Sequence, residues 1–349
     1  MDDAAALAAA LAAAFLCVVS ACCCSLAVLA RTRGSSGGGG KGPAGAWAIG
    51  GRRRISDGLY HTNFTLPNDG ASGRHGAARV PFPIMPGADP GLFYEAGVYY
   101  LAATGVGGIC TSRDLVSWTP PAAGSVQPSG TFWAPEIFKI GSTYWMCYAD
   151  AFSACKFLRA SSPAGPYTFS HQLAVAPTMD PSVLIDMDGR IYIFTSGIGY
   201  GVVIHELSAD LRSVGASARV AQPDAQPWMT HGPVAEGPQC IVRVVNGSPT
   251  YVCVFSANLC CVTPDFYSLG YATAPAPMGP WTLAPDNPLV SYDAAWGYGH
   301  HCFGAGPNGN LFYMCQRENG NDRQLVMAAA RFEGSRLVFD KPTGPIHVP

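Results

Sequence analysis

Apolar and polar positions alternate in short runs along most of this chain, and glycine turns separate the runs. One example is residues 178–197, TMDPSVLIDMDGRIYIFTSG. An apolar run, the turn pair Asp188-Gly189 and a second alternating run predict a β-hairpin. The same grammar recurs four more times: ADPGLFYEAGVYYLAATG from 88, APEIFKIGSTYWMCYAD from 134, AEGPQCIVRVVNGSPTYVCVFSAN from 235 and GHHCFGAGPNGNLFYMCQRE from 299. Each opens on a small or polar residue, continues as a short apolar strand, turns at glycine, and returns on a strand rich in Tyr, Trp or Phe. Each is followed by a segment that predicts a third strand, a turn and a short fourth strand, from ICTSRDLVSW at 109–118 to LVMAAARFEGSRLVF at 325–339.

Five such units, recurring about every 45–65 residues, predict an all-β, five-bladed β-propeller. One four-stranded unit cannot bury both faces, so the units must stack, and closing the ring protects the sheet edges. A two-sheet sandwich would also use hairpins, but it does not need five matching units. In a propeller the first strand of each unit lines the channel, and all five run in one direction. Their opening residues therefore gather at one end. This accounts for a charged Asp180 at the mouth of an apolar strand: it stands at a rim. The expected rim set is Asp89, Glu136, Asp180, Glu236 and the His300-His301 pair. Several carboxylates in one small pit raise one another's pKa, which marks a functional cluster.

Composition narrows the reading. The 349 residues are 48% hydrophobic and 13% charged, with a net charge of −2. That argues against nucleic acid, which needs clustered Lys and Arg; the one basic run, Arg52-Arg53-Arg54, is short, lies in a Gly-rich stretch and reads as solvated linker. Residues 4–30 carry no charge and are long enough to span a bilayer. Residues 1–33 therefore read as an N-terminal hydrophobic segment, either a signal-anchor helix or a signal peptide cleaved near Val19-Ser20-Ala21. The missing basic n-region favours the anchor. The expected location is membrane-anchored in the secretory pathway or at the cell surface, or else secreted. Residues 34–75 read as a flexible linker and 76–349 as the propeller, expected to act as a monomer. Asn63-Phe64-Thr65 and Asn246-Gly247-Ser248 are glycosylation sequons. The thirteen cysteines show no CxxC pair, which argues against zinc-ligand spacing. Cys147, Cys240, Cys253, Cys302 and Cys315 read as small apolar filler, whereas Cys260-Cys261 falls where it would border the pocket.

The chemistry follows from the carboxylates. Glycosidic cleavage needs an acid to protonate the leaving oxygen and a base to activate water on the opposite face. A third carboxylate near the acid keeps it protonated. Trp133 and Phe93, with Trp228 and Trp296, are candidates to stack on sugar rings. ADPG at 88–91, WAP at 133–135, MDPS at 179–182, EGP at 236–238 and GYGHH at 297–301, in this order, resemble glycoside hydrolase family 43 over roughly 80–345. The resemblance implies a five-bladed propeller of inverting enzymes acting on arabinose-, xylose- or galactose-containing oligo- or polysaccharides. It implies Asp89 as general base, Glu236 as general acid, and Asp180 as the residue that tunes Glu236. Trp133, Phe93 and Glu136 are the expected substrate contacts by their places near the strand entries; the resemblance implies no cofactor for the chemistry and matches His300 to the histidine that in many members lies by or ligates a metal, often calcium, in the channel. Gly91 departs from the pattern, because a hydroxyl residue is common there. Retaining fructoside-type propellers need an Asn-Asp-Pro-Asn opening that this chain lacks. A non-catalytic carbohydrate-binding propeller would be expected to have lost a rim carboxylate, and none is lost.

Overall fold

The structure, a computed structural model, describes residues 56–67, 79–306 and 308–347. Within them the chain builds five antiparallel sheets, each led by the strand that the pattern assigns to the channel. Blade I comprises Ala88–Glu95, Val98–Thr104 and Cys110–Ser112. Blade II comprises Trp133–Ile140, Thr143–Asp150, Ala154–Ala160 and Tyr167–Leu173, with Val126–Gln127 added in parallel. Blade III comprises Met179–Ile185, Ile191–Gly197, Gly201–Leu207 and Val214–Ala221. Blade IV comprises Ala235–Val245, Ser248–Ala257, Ser268–Ala274 and Thr282–Leu283. Blade V comprises Gly297–Ala305, Leu311–Asn319, Asp322–Glu333 and Arg336–Phe339. The five leading strands contact one another in ring order.

Five apolar clusters hold the ring, one at each blade–blade interface. Phe93 meets Tyr148 between blades I and II, and Phe157 meets Ile193 between II and III. Phe194 meets Phe255 between III and IV, Val254 meets Phe303 between IV and V, and Tyr99 meets Phe312 between V and I. Fully burying a Phe, Leu or Ile contributes about 1.5–3 kcal/mol, so each interface gains what a lone sheet could not. The ring closes through the chain's own ends. Met85–Pro86 pairs with Gln324 and Leu325 of blade V, and Arg79 bridges His347.

Two expectations change. Blade I has three strands rather than four, its fourth being a single Thr111–Thr119 bridge. Residues 58–66, inside the span expected as linker, are a hairpin of Gly58–His61 and Phe64–Leu66, paired through Gly58–Tyr60 with Val242–Val244 at the inner edge of blade IV. Its tip reaches across the channel. Thr62 Oγ1 donates to the Val183 carbonyl of blade III at 2.6 Å. Asn63 Nδ2 donates to the carbonyls of Leu92 at 3.3 Å and Ile137 at 2.8 Å, in blades I and II. His61 rests edge-on to Phe303 of blade V. One hairpin thus touches all five blades and plugs the channel. With its amide nitrogen bound to two inner carbonyls, Asn63 has no room for the glycan its sequon suggested. Asn246 lies on an exposed turn. The expected hydrophobic segment 1–33 and the remaining linker residues 34–55 and 68–75 lie outside the described residues.

Candidate active site

A repeated backbone irregularity positions the site. In every leading strand the pairing slips by one residue: Ala88 to Gly91, Trp133 to Glu136, Met179 to Ser182, Glu236 to Gln239 and Gly299 to Cys302 each spend three steps against two on the partner. A bulge of this kind re-aims a side chain and is tolerated where a proline removes a donor. Pro90, Pro135, Pro181 and Pro238 occupy four of the five bulges. The residue before each proline, and His300 in blade V, takes a left-handed conformation, with φ of 50° at Asp89, 47° at Ala134, 49° at Asp180, 60° at Gly237 and 43° at His300. Such a φ costs a non-glycine residue about 1–2 kcal/mol, a strain characteristic of functional sites.

The bulges sort the channel residues into three layers. Glu236 and Trp133 precede the left-handed position and stand nearest the mouth. Asp89, Asp180 and His300 occupy it. Glu136 and Gln239 follow it and lie deepest. Contacts between neighbouring blades tie the middle layer together. The Asp180 carboxylate accepts the Gly237 N–H at 3.0 Å and the Ser196 hydroxyl at 3.1 Å. His300 Nδ1 lies 3.2 Å from Asp89 Oδ1. Asp89, Asp180 and Glu236 therefore stand together at the strand entries, within reach of one another's charge.

Their environments differ. Burial, and then the charge of Asp180, hold Glu236 well above the usual carboxylate range. Asp180 is also raised, by burial first, with His300 opposing and Asp89 adding to the shift. The two donors on Asp180 favour its ionised form, so Glu236 is the member of the pair that keeps the proton. Tyr267 donates its hydroxyl to Glu236 Oε1 at 2.8 Å. This tyrosine explains the GYGHH glycines: a side chain at Gly299 would start 2.1 Å from the Tyr267 ring, and one at Gly297 would start 1.9 Å from Asp265 Oδ1. Gly91 has a similar cause, since a Cβ there would lie 1.9 Å from the Pro135 carbonyl oxygen.

Behind the base runs a second polar chain that sequence reasoning missed. Gln316 accepts the Asp89 N–H at 2.8 Å and donates to Glu318 Oε2 at 2.6 Å. Glu318 in turn accepts the Cys261 N–H at 3.2 Å. Burial pushes Asp265 up to about 6 and Glu318 well above the carboxylate range. The two glycines of GYGHH, which make room for Tyr267 and Asp265, are the sequence feature that could have pointed here.

Other expected residues sit differently. Trp133 keeps its place at the mouth, edge-on to the exposed Phe152 at 5.5 Å. Phe93 is 4% exposed and packed against Tyr144 between blades I and II, so it stacks on no sugar. Trp228 and Trp296 pack against inter-blade clusters in the same way. Glu136 is not at the rim. It lies below, 5% exposed, accepting from Val183 N and Gln239 Nε2, and burial pushes it up to about 7. A calcium ion takes six to eight oxygens. His300 faces Asp89 instead, and among the described residues no group of three or more His, Cys, Asp or Glu donors close enough to share an ion includes His300. No step below passes through a metal.

With that geometry in place, residues 79–333 match the family described as Glycosyl hydrolases family 43. A "Putative beta-xylosidase" of Xylanibacter ruminicola is 26% identical over 175 residues, which is 45% of this chain and 32% of that protein. The chain thus spans about a third of the length of this curated relative. A solved structure of a thermostable family-43 glycoside hydrolase superposes with a TM-score of 0.63 at 27% identity, covering 80% of this chain and 97% of the other. An endo-1,4-beta-xylanase of Bacteroides thetaiotaomicron superposes at 0.64 with 24% identity, covering 76% and 97%, a likeness of fold.

Proposed function

The chain belongs to glycosyl hydrolases family 43 and is a glycosidase of that family, and on that premise we propose that it cleaves xylose- or arabinose-containing glycans with inversion at the anomeric carbon. Glu236 gives its proton to the leaving glycosidic oxygen. Asp89 takes a proton from a water molecule on the opposite face, and that water's oxygen bonds to the anomeric carbon as the C–O bond breaks. Asp180 keeps Glu236 protonated until the sugar arrives, and Trp133 offers a ring face at the mouth. Solvent then returns the proton to Glu236 and removes the one on Asp89.

The observation that carries this reading is the asymmetry within one cluster. Glu236 is buried, bonded by Tyr267 and raised by Asp180, while Asp89 faces His300. A buried carboxyl whose pKa is raised by its surroundings is the one that can serve as the acid. The xylosidase named among the relatives supports a xylose-containing substrate. Proton NMR of the first product from an aryl xyloside or arabinofuranoside tests the mechanism. An inverted anomer is expected, and a retained one would reject water activation by Asp89. The uncharged run 4–30 supports a membrane-anchored or secreted enzyme, and protease protection on intact vesicles tests that placement.

A further inference from the structure

We propose that Cys260, Cys261 and Glu318 form a binding site for a thiophilic divalent cation of the zinc class, and that an ion bound there silences the neighbouring acid Glu236. The loop between Ser248–Ala257 and Ser268–Ala274 carries both thiols, and each is partly exposed, so an ion has a path in. Their sulfurs lie 3.3 Å apart. Two thiolates on one tetrahedral zinc, with Zn–S bonds of about 2.3 Å, stand about 3.8 Å apart, so a small opening of the pair suffices. The donor atoms of all three residues fall within 4.8 Å of one another, a grouping found only here among the described residues.

Two further observations point to a ligand. Asp265, 3% exposed, lies against Glu318 and leaves its buried Oδ2 without a bond of hydrogen-bond geometry. Around the pair stand the carboxylates of Asp89, Glu236, Asp265 and Glu318, with Arg323 as the compensating guanidinium. The surroundings are acidic and suit a cation. Binding replaces two S–H bonds by two metal–sulfur bonds and releases two protons to solvent. Cys260 Sγ lies 3.7 Å from Glu236 Oε1, so the ion's remaining coordination position falls next to the acid. An ion that takes Glu236 Oε1 at that position holds the carboxyl away from the leaving oxygen.

The test uses the full chain and zinc chloride, with two readouts on one titration. Hydrolysis of an aryl glycoside is expected to fall about tenfold or more at saturation, because general-acid catalysis is worth 10²–10⁴-fold. Alkylation by iodoacetamide, read by mass spectrometry on the peptide holding Cys260 and Cys261, is expected to be blocked over the same zinc range. A chelator should restore both. Cys261→Ser should lose the zinc sensitivity relative to its own metal-free rate, and the wild-type alkylation result stands even if that variant folds poorly. Inhibition without protection, protection without inhibition, or neither would each overturn the proposal. The alkylation arm reads occupancy whether or not the reading of the hydrolase mechanism holds.

Discussion

The two ends of the channel treat buried polar groups in opposite ways. At the plugged end the 58–66 hairpin brings in groups without charge. Burial pushes His61 down to about 3, and Thr62 and Asn63 bind carbonyls of three different blades. At the rim, Asp89, Asp180 and Glu236 are drawn together in left-handed bulges, and their mutual repulsion is only partly relieved by His300, Ser196 and the Gly237 amide. A neutral interior costs less to bury than a charged one. A buried cluster of like charges destabilises the fold and persists where the shifted protonation states have a use. The comparison assigns stability to one end and chemistry to the other.

Substitutions at each end should therefore separate the two properties. The largest effect is expected from Glu236→Gln, which keeps shape and removes the proton donor: kcat should fall about 10²–10⁴-fold with little change in sugar binding measured by calorimetry. Next is Glu136→Gln, between the ends. Glu136 has a folded pKa of about 7 against a usual 4.5, so the folded state keeps its proton while the unfolded state ionises. Stability from this group is intact below about pH 4.5, erodes as pH rises to about 7, and is level above. The substitution should remove that slope, up to about 3 kcal/mol, from urea unfolding measured across pH 5–8. At the plugged end, Asn63→Ala leaves two inner carbonyls unpaired and should cost about 2 kcal/mol of stability, with the pH profile of the remaining activity unchanged.

Much of this comparison was legible in the sequence, and the reasons it was not complete are physical. The fivefold hairpin grammar revealed the ring because burial on both blade faces forces a period on the residues. The prolines carried more than the pattern alone. Aligned on Pro90, Pro135, Pro181 and Pro238, the chain sets Asp89 and Asp180 level with Ala134 and Gly237, puts Glu236 one residue before that level and Glu136 two residues after it. Grouping every carboxylate at a strand mouth hid those layers and placed Glu136 at the rim. Leu59-Tyr60-His61 gave no signal, because so short a strand has no period and its partners on blade IV lie far along the chain. Phe93 looked like a sugar platform because alternation shows which residues share a face but not whether that face meets the channel or the next blade. Gln316 and Glu318, from the strand Leu311–Asn319, and Tyr267, from the loop before Ser268–Ala274, support the site where only folding brings them to it.

The smallest effects expected are also the most diagnostic, because they differ in sign. Asp180 raises the pKa of Glu236 and the Tyr267 hydroxyl lowers it. Glu236 must be protonated to act, so the alkaline limb of kcat/KM against pH reports its proton. Asp180→Asn should move that limb to lower pH, and Tyr267→Phe should move it to higher pH, each relative to wild type. Limbs that stay in place, or that move in the same direction in both variants, would contradict the claim that one cluster joins these groups and sets the acid.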